Sequence, residues 1–318
     1  MKRIIQENFG GIEGLQIRTV PKPRVTPFSA LIKTSYVPIL PWDWKGEAGE
    51  LQAIHPVRLP TTIGYSFSGI VEEVGALRNQ KLVGQAVFGA NPGGTASEWI
   101  NSQTPPIIFP VPQGVSLAAA ATIIGGADTA WHAINEVLQV NPQDRVLILG
   151  ASGGVGQFLV QLAKRQQAVV VATASQVSQG FVERLGADEV LAYDDVNFEK
   201  RLRALGRITK IVDAAGSAEL LATVLHQLAA VDVVSLAQLD FTDLKSDQTF
   251  QFNNGRIALK TYAHIANLIS SGELTAHVQT VFPFEQVIAA QLQTKQVHVR
   301  GRNLLVFNES AVMDRAQF

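Results

Sequence analysis

Val146–Val160, VLILGASGGVGQFLV, is the stretch that decides how this chain is read. Val146-Leu147-Ile148-Leu149 is an unbroken apolar run, the pattern of a strand covered on both faces of a parallel sheet. Gly150-Ala151-Ser152-Gly153-Gly154-Val155-Gly156 ends it. Val155, Leu159 and Leu162 then recur at helical spacing, with Gln157, Gln161 and Lys164 off that stripe. Strand, glycine turn and helix in this order make a place for a phosphate. Glycines let the backbone come close to a pyrophosphate, and the helix start offers unpaired N–H groups at the positive end of its dipole. A plain βα turn is the simpler alternative, but such turns rarely need glycine at 153, 154 and 156 together.

Two other loops share part of this pattern. Gly150-Ala151-Ser152-Gly153-Gly154 satisfies G-x-S-x-G, the nucleophile elbow of serine hydrolases. That reading makes Ser152 the nucleophile, Asp213 the acid and His264, His277 or His298 the base, a permitted chain order that leaves the N-terminal half unexplained. A P-loop is excluded, because no Lys-Ser/Thr follows the last glycine. A short-chain reductase would carry its glycine turn near the N-terminus and a Tyr-x-x-x-Lys pair. The residues four after Tyr36, Tyr65, Tyr193 and Tyr262 are Leu40, Gly69, Asn197 and Ala266, so that pair is missing.

Composition narrows the class. The 318 residues suffice for two ordinary cores, and a net charge of −1 offers no bulk attraction for nucleic acid or anionic lipid. There is no cysteine, which removes disulfides and every thiolate zinc site. The N-terminus, MKRIIQENFG, lacks an apolar signal core, and the apolar tract near Ala118–Ala127 is too short to span a membrane. A cytoplasmic protein with no nucleic-acid or membrane partner is the expectation.

Residues 1 to about 115 are rich in Pro and Gly, with short β-type runs at Ala30–Thr34 and Gly69–Gly75. An alanine-rich helix over Leu117–Thr122 and a second helical stretch over Trp131–Leu138 lead into the central strand. Strands are then expected at Val169–Thr173, Glu189–Tyr193, Lys210–Asp213 and Val231–Leu236, with helices between them, as at Ser217–Leu228. The alternation predicts an α/β fold with a doubly wound parallel sheet. A helix over Arg256–Ser270 precedes short strands that end at Asn303–Phe307.

Several segments together resemble a zinc-free medium-chain dehydrogenase/reductase of the quinone oxidoreductase-like branch. Pro41-Trp42-Asp43-Trp44-Lys45 with Gly49 resembles the family's N-P-x-D-W-K…G, and Gly64–Val71 with Val74-Gly75 resembles G-x-D-x-A-G-x-V…V-G. Gly84, Val87, Gly89, Gly94 and Ala96 fit G-D-x-V-x-G…G-x-A. Ala120-Ala121 with Thr129-Ala130-Trp131, the GASGGVG turn, Leu185–Asp188 and Tyr193 continue the likeness nearly end to end. Three positions depart: Leu40 for Asn, Ser66 for Asp, and Asp128 for Leu. The resemblance implies a GroES-like irregular β catalytic domain over 1–117, a Rossmann dinucleotide-binding domain over 118–252, and a segment over 253–318 that returns to the catalytic domain.

It also implies a site. Main-chain amides at Gly153, Gly154 and Val155, beside Ser152, would hold the pyrophosphate of a nicotinamide cofactor. Thr173-Ala174-Ser175-Gln176 ends the second strand without an acidic residue before Glu183, and Ser175 can donate to a phosphate, so NADPH is expected over NADH. Tyr193 resembles a tyrosine near the adenosine phosphate, and Arg300 or Arg302 is the candidate counter-charge there. Hydride transfer leaves negative charge on the acceptor oxygen. Zinc-dependent relatives meet it with a metal, but Tyr65 stands in place of their histidine, and the six histidines show no ligand spacing, so no zinc or other metal is expected. Tyr65 is the candidate proton donor, with an ordinary pKa of about 10. Thr129 resembles a threonine beside the nicotinamide ring. Asp43 matches the family aspartate, with a loop-holding role as the alternative, and Lys45 reads as a surface residue. Trp42 and Trp44 suit either a flat wall for a conjugated acceptor or ordinary packing. The implied substrate is a quinone or an α,β-unsaturated carbonyl. A non-catalytic NADPH-binding sensor is the alternative. Relatives pair sheet edges, so a homodimer is expected, with Val231–Leu236 near such an edge.

Overall fold

The computed structural model describes residues 1–103, 107–253, 255–296 and 299–308. Its strands are β1 (Lys2–Gln6), β2 (Leu15–Thr19), β3 (Ala30–Pro38), β4 (Thr61–Thr62), β5 (Ser66–Val74), β6 (Ala86–Ala90), β7 (Trp99–Ser102), β8 (Ile107–Pro110), β9 (Arg145–Leu149), β10 (Val169–Ala174), β11 (Glu189–Ala192), β12 (Lys210–Asp213), β13 (Asp232–Ser235), β14 (Thr249–Phe252), β15 (Val278–Pro283) and β16 (Arg302–Val306). The α-helices are α1 (Pro41–Glu47), α2 (Leu117–Ala120), α3 (Asp128–Trp131), α4 (Gly156–Arg165), α5 (Gln179–Arg184), α6 (Phe198–Ala204), α7 (Ala218–Gln227), α8 (Leu259–Ser270) and α9 (Val287–Gln296).

The central strand is buried as its composition requires. Val146 and Ile148 of β9 pack with Leu159 and Leu162 of α4, while Leu147 and Leu149 pack with Leu221 and Val224 of α7 on the other face. This is the two-residue alternation of a strand between two helical layers. Each such side chain contributes roughly 1.5–3 kcal/mol by leaving water. The six strands run in the order β11-β10-β9-β12-β13-β14, all neighbours parallel. The chain moves outward from β9 to β10 and β11, then returns to the other side of β9 with β12. The doubly wound sheet expected from the alternation is present. Its edge is β14, so Val231–Leu236 supplies the inner neighbour of the edge strand and not the edge itself. This edge strand is the alternating run Thr249–Phe252, TFQF, with its two phenylalanines half-buried.

A mostly antiparallel sheet, β15-β16-β3-β5-β6-β8 with β7 also on β3, forms the second unit. The GroES-like irregular β part contributes most of it, and β16 from the chain's end pairs antiparallel with β3. Gln157 and Gln161 fasten this return. Gln157 exchanges side-chain hydrogen bonds with the N–H and C=O of His277, at 2.7 and 3.3 Å. Gln161 does the same with Thr275, at 2.7 and 2.9 Å. Gln157 was expected off the apolar stripe of α4, yet it is fully buried, because its amide oxygen takes the N–H of His277, whose carbonyl is already paired with Arg302 N.

Candidate active site

The glycine turn has the close packing that its sequence demands. Gly150 sits at φ 75°, and a Cβ on Gly156 would lie 2.1 Å from the Gly150 carbonyl oxygen. The first glycine makes the turn and the last lets α4 approach β9. The Gly153 N–H is used internally, donating to Gly150 O at 3.2 Å, which removes one of the three amides expected at a pyrophosphate. The N–H groups of Gly154 and Val155 make no hydrogen bond to a described residue. Thr173 is also turned to structure: it is fully buried, its hydroxyl accepts from Gly150 N at 3.4 Å and its carbonyl from Ala151 N at 3.1 Å. Ser152 is buried and its carbonyl accepts from Gly301 N at 2.8 Å.

In front of this turn lies a cavity of about 120 Å³, lined by Trp42, Thr129, Val155, Ala214, Ala237 and Arg302 among others. Val155 follows β9 and Ala214 follows β12, so the cavity opens where the strand order reverses, the usual ligand position of such sheets. From the other unit, α1 supplies one wall. Asp43 accepts from Leu40 N at 2.7 Å and so holds the start of α1. Burial lifts its pKa to about 7, against the Leu40 N–H and the Arg302 charge, which pull it down. Lys45, expected at the surface, spans the cleft and donates to Ala237 O at 3.1 Å. Trp42 faces Phe252 of β14, with ring centroids 6.1 Å apart, while Trp44 packs against the core of the β unit.

The third wall is a break between the two helical stretches that the sequence predicted. Ile124 has ψ 125° and Gly125 φ 78°, which separates α2 from α3. Asp128 closes the break. Its Oδ1 accepts from the N–H groups of Gly125, Gly126 and Thr129 at 2.8, 3.2 and 2.6 Å and from the Thr129 hydroxyl at 3.2 Å. Its Oδ2 accepts from Tyr262 OH at 3.3 Å. Burial raises the Asp128 pKa, and these donors oppose it. Ser66 supports the same break, donating to Ile124 O at 3.0 Å. Leu40 packs on Gly125, where a Cβ would meet its methyl at 3.1 Å.

Arg302 lies here too, which corrects its assignment to the adenosine end. It is 5% exposed, and it donates to Ile39 O at 3.2 Å and Gly125 O at 2.6 Å. Its guanidinium covers Gly154 so closely that a Cβ there would lie 2.3 Å from Cζ. Pairing of β16 with β3 aims the side chain into the cleft, and a sequence does not disclose that register. Burial lowers its pKa to about 10, against the pull of Asp43 and Asp128. Tyr65 is 38% exposed and is not among the residues that line the cavity, although its phenol is near enough to interact electrostatically with Tyr262. Tyr262, unremarked in the sequence, is stacked on Phe109 at 4.7 Å, and burial and Asp128 keep its hydroxyl protonated.

At the end of β10, Ser175 and Tyr193 come together. Ser175 is 2% exposed, bonded to Ser178 Oγ at 3.2 Å and to the Tyr193 phenol. Asp194 accepts from Gln176 N at 2.8 Å, placing a carboxylate beside this end that the sequence order had hidden. A wider groove of about 590 Å³ begins at Tyr193 and is lined by Lys200 and Arg203 of α6 and Ser217 before α7.

The hydrolase constellation is not assembled. The Asp213 oxygens accept from Ala215 N, Gly216 N, Ser235 Oγ and Gln238 Nε2. The rings of His264 and His277 lie against Trp131 and Phe181, and His298 is outside the described residues. Among the described residues no group of three or more His, Asp or Glu side chains is arranged to hold a metal.

Comparison with known proteins matches residues 26–105 to the alcohol dehydrogenase GroES-like domain and residues 154–284 to the zinc-binding dehydrogenase family. The human mitochondrial NAD(P)H oxidoreductase RTN4IP1 is 31% identical over 279 residues, 77% of this chain and 70% of that protein. The spinach chloroplastic quinone-oxidoreductase homolog is 32% identical over 192 residues, 58% of each. Among solved structures, the quinone oxidoreductase from Coxiella burnetii superposes with a TM-score of 0.83 at 24% identity, covering 96% of this chain and 99% of that one. An NAD-dependent alcohol dehydrogenase superposes at 0.86 with 22% identity, covering 96% and 99%.

Proposed function

The chain belongs to the medium-chain dehydrogenase/reductase family, quinone oxidoreductase-like branch, and from that premise we propose that it is an NADPH-dependent oxidoreductase that reduces a quinone or an α,β-unsaturated carbonyl without zinc. One observation carries this reading: the Gly154 and Val155 N–H groups are unbonded to any described residue, and Val155 lines a cleft between two units at the point where the strand order reverses. They suit a diphosphate, and the close Gly150–Gly156 contact leaves the turn narrow enough to be approached. Bound there, a reduced nicotinamide supplies the hydride. Leu40, Val155 and Leu236 keep the reacting end apolar and dry. Asp43 holds the start of α1 and Trp42 offers a flat wall to a conjugated acceptor. Tyr65, at the exposed side beside Tyr262, is the proposed proton donor, and Thr129 is the hydroxyl on the cavity wall, which Lys45 and Arg302 also line.

Zinc independence rests on the donor set: Tyr65 occupies the position of the zinc relatives' histidine, and the chain has no cysteine. NADPH over NADH rests on the absence of a carboxylate on β10 and on the Ser175–Tyr193 hydroxyl pair; Asp194 opposes it, and the adjoining groove is of mixed charge, with Lys200 and Arg203 beside Asp195, Glu199 and Glu219. A homodimer through the β14 edge and a cytoplasmic location belong to the same proposal; no helix among the described residues is long and apolar enough to cross a membrane. Fluorescence titration tests the core of it: NADPH should bind, more tightly than NADH, and oxidise on addition of quinones or enals, with metal analysis finding no stoichiometric zinc. Tyr65→Phe should cut turnover; an unchanged rate removes Tyr65 from the chemistry. Binding without turnover of any acceptor would select the non-catalytic sensor, which the departures at Leu40, Ser66 and Asp128 favour.

A further inference from the structure

Asp128 replaces the leucine of similar proteins, and the use made of its carboxylate is specific. Oδ1 receives three main-chain N–H groups and the Thr129 hydroxyl. A threonine hydroxyl has one proton and two lone pairs. With its proton on Asp128, Thr129 has only lone pairs to offer elsewhere, and among the described residues its Oγ1 has no other hydrogen bond. The Thr129 side chain lines the cavity beside Val155 and Ala214. We propose that Asp128 is a positioning residue: it fixes the Thr129 hydroxyl as a hydrogen-bond acceptor toward the cavity, where it holds the carboxamide N–H of a bound nicotinamide. This rests on the nicotinamide reading above. The carboxamide is the group through which a nicotinamide ring donates an N–H. Tyr262 completes the arrangement by donating to Oδ2, which keeps the carboxylate from rotating away.

The arrangement makes a prediction that a merely structural aspartate does not. The dissociation constants of NADP⁺ and of its 3-acetylpyridine analogue, whose acetyl group lacks the N–H donor, can be compared by quenching of tryptophan fluorescence, since Trp42 lines the cavity. The wild-type protein should prefer the carboxamide by about five-fold, the effect of one hydrogen bond. Thr129→Val should bring the ratio close to one. Asp128→Leu should do the same, because a released Thr129 proton can turn to the acetyl oxygen. Asp128→Asn, whose amide oxygen still accepts from Thr129, should keep the ratio. Damage to the helix break alone would lower Tm and leave the ratio as it was. A wild-type ratio of one, or a ratio unchanged in Thr129→Val or in a folded Asp128→Leu, overturns the proposal. A wild-type protein that binds neither dinucleotide overturns the nicotinamide reading instead. If Asp128→Leu does not fold, Thr129→Val and Asp128→Asn decide the matter.

Discussion

Two glycine breaks face each other across the cleft, and they differ in one respect. Gly150 at φ 75° and Gly125 at φ 78° both halt a regular element. At the first break the N–H groups of Gly154 and Val155 are bonded to no described residue. At the second, Gly125, Gly126 and Thr129 all donate to the Asp128 carboxylate. The proposed function gives the first break an anion from outside, whereas the second holds its own. The same backbone chemistry makes a binding site or a rigid wall according to whether a side-chain carboxylate already occupies it.

The largest effect that would break this comparison comes from the open turn. Gly156→Ala places a methyl 2.1 Å from the Gly150 carbonyl oxygen, with backbone on both sides and no flexible side chain to give way. A loss of about 3 kcal/mol is expected, with dinucleotide binding lost, read by urea denaturation and fluorescence titration. Gly126→Ala is the control. Its Cβ would meet Gly154 O at 3.3 Å and Arg302 at 3.5 Å, a far milder contact, so both properties should fall much less than in Gly156→Ala. If the two variants behave alike, packing density at the turn is not what matters.

The closed break is next. Asp128→Leu strands three main-chain donors, and a loss of about 2 kcal/mol in thermal or urea denaturation is expected, with Asp128→Asn recovering most of it. A fully stable Asp128→Leu protein would mean that the break is held through its carbonyls, by Arg302 on Gly125 O and Ser66 on Ile124 O.

These two breaks were unequally legible. The turn after β9 follows from a local pattern: apolar run, glycines, then 3.6-residue periodicity within fifteen residues. Strands β9, β10 and β12 therefore fall at or within a residue of where the apolar runs place them. The break at Gly125 lies inside an alanine-rich run with no turn residue but glycine, and its partner atoms come from Arg302 and Tyr262, far along the chain. Lys45 reads as a surface residue and Arg302 as a counter-charge at the adenosine end because a sequence reports charge and not which strand register or helix faces a cleft. Ser175 and Tyr193 were foreseen as neighbours through resemblance, but Asp194 and Lys200 join them only through the parallel pairing of β10 with β11 and the packing behind it.

The smallest effect sharpens the point with another buried acid. Glu47 is 1% exposed, and Gln291 Nε2 donates to its Oε1 at 2.8 Å, while Glu47 Oε2 and Gln291 Oε1 have no partner among the described residues. Where Asp128 has five donors, Glu47 has one. Burial and the nearby Asp43 push its pKa up to about 8, against the Gln291 bond. The folded value therefore lies above the unfolded one. The stability that Glu47 contributes is fully present below the unfolded value, about 4.5, and is lost as pH rises through about 8. Glu47→Gln removes the charge and adds an N–H that can reach the unpaired Gln291 oxygen. The variant should match the wild type at pH 4 and exceed it at pH 9, the gap opening between the unfolded value and about 8, measured by urea denaturation across that range. A substitution to the neutral amide would then be roughly neutral or harmful at Asp128 and helpful at Glu47. The number of donors around a buried carboxylate, and not its burial, would set the sign. If Glu47→Gln instead loses stability as pH rises, the ionised acid is being held by a partner, and donor count does not separate the two sites.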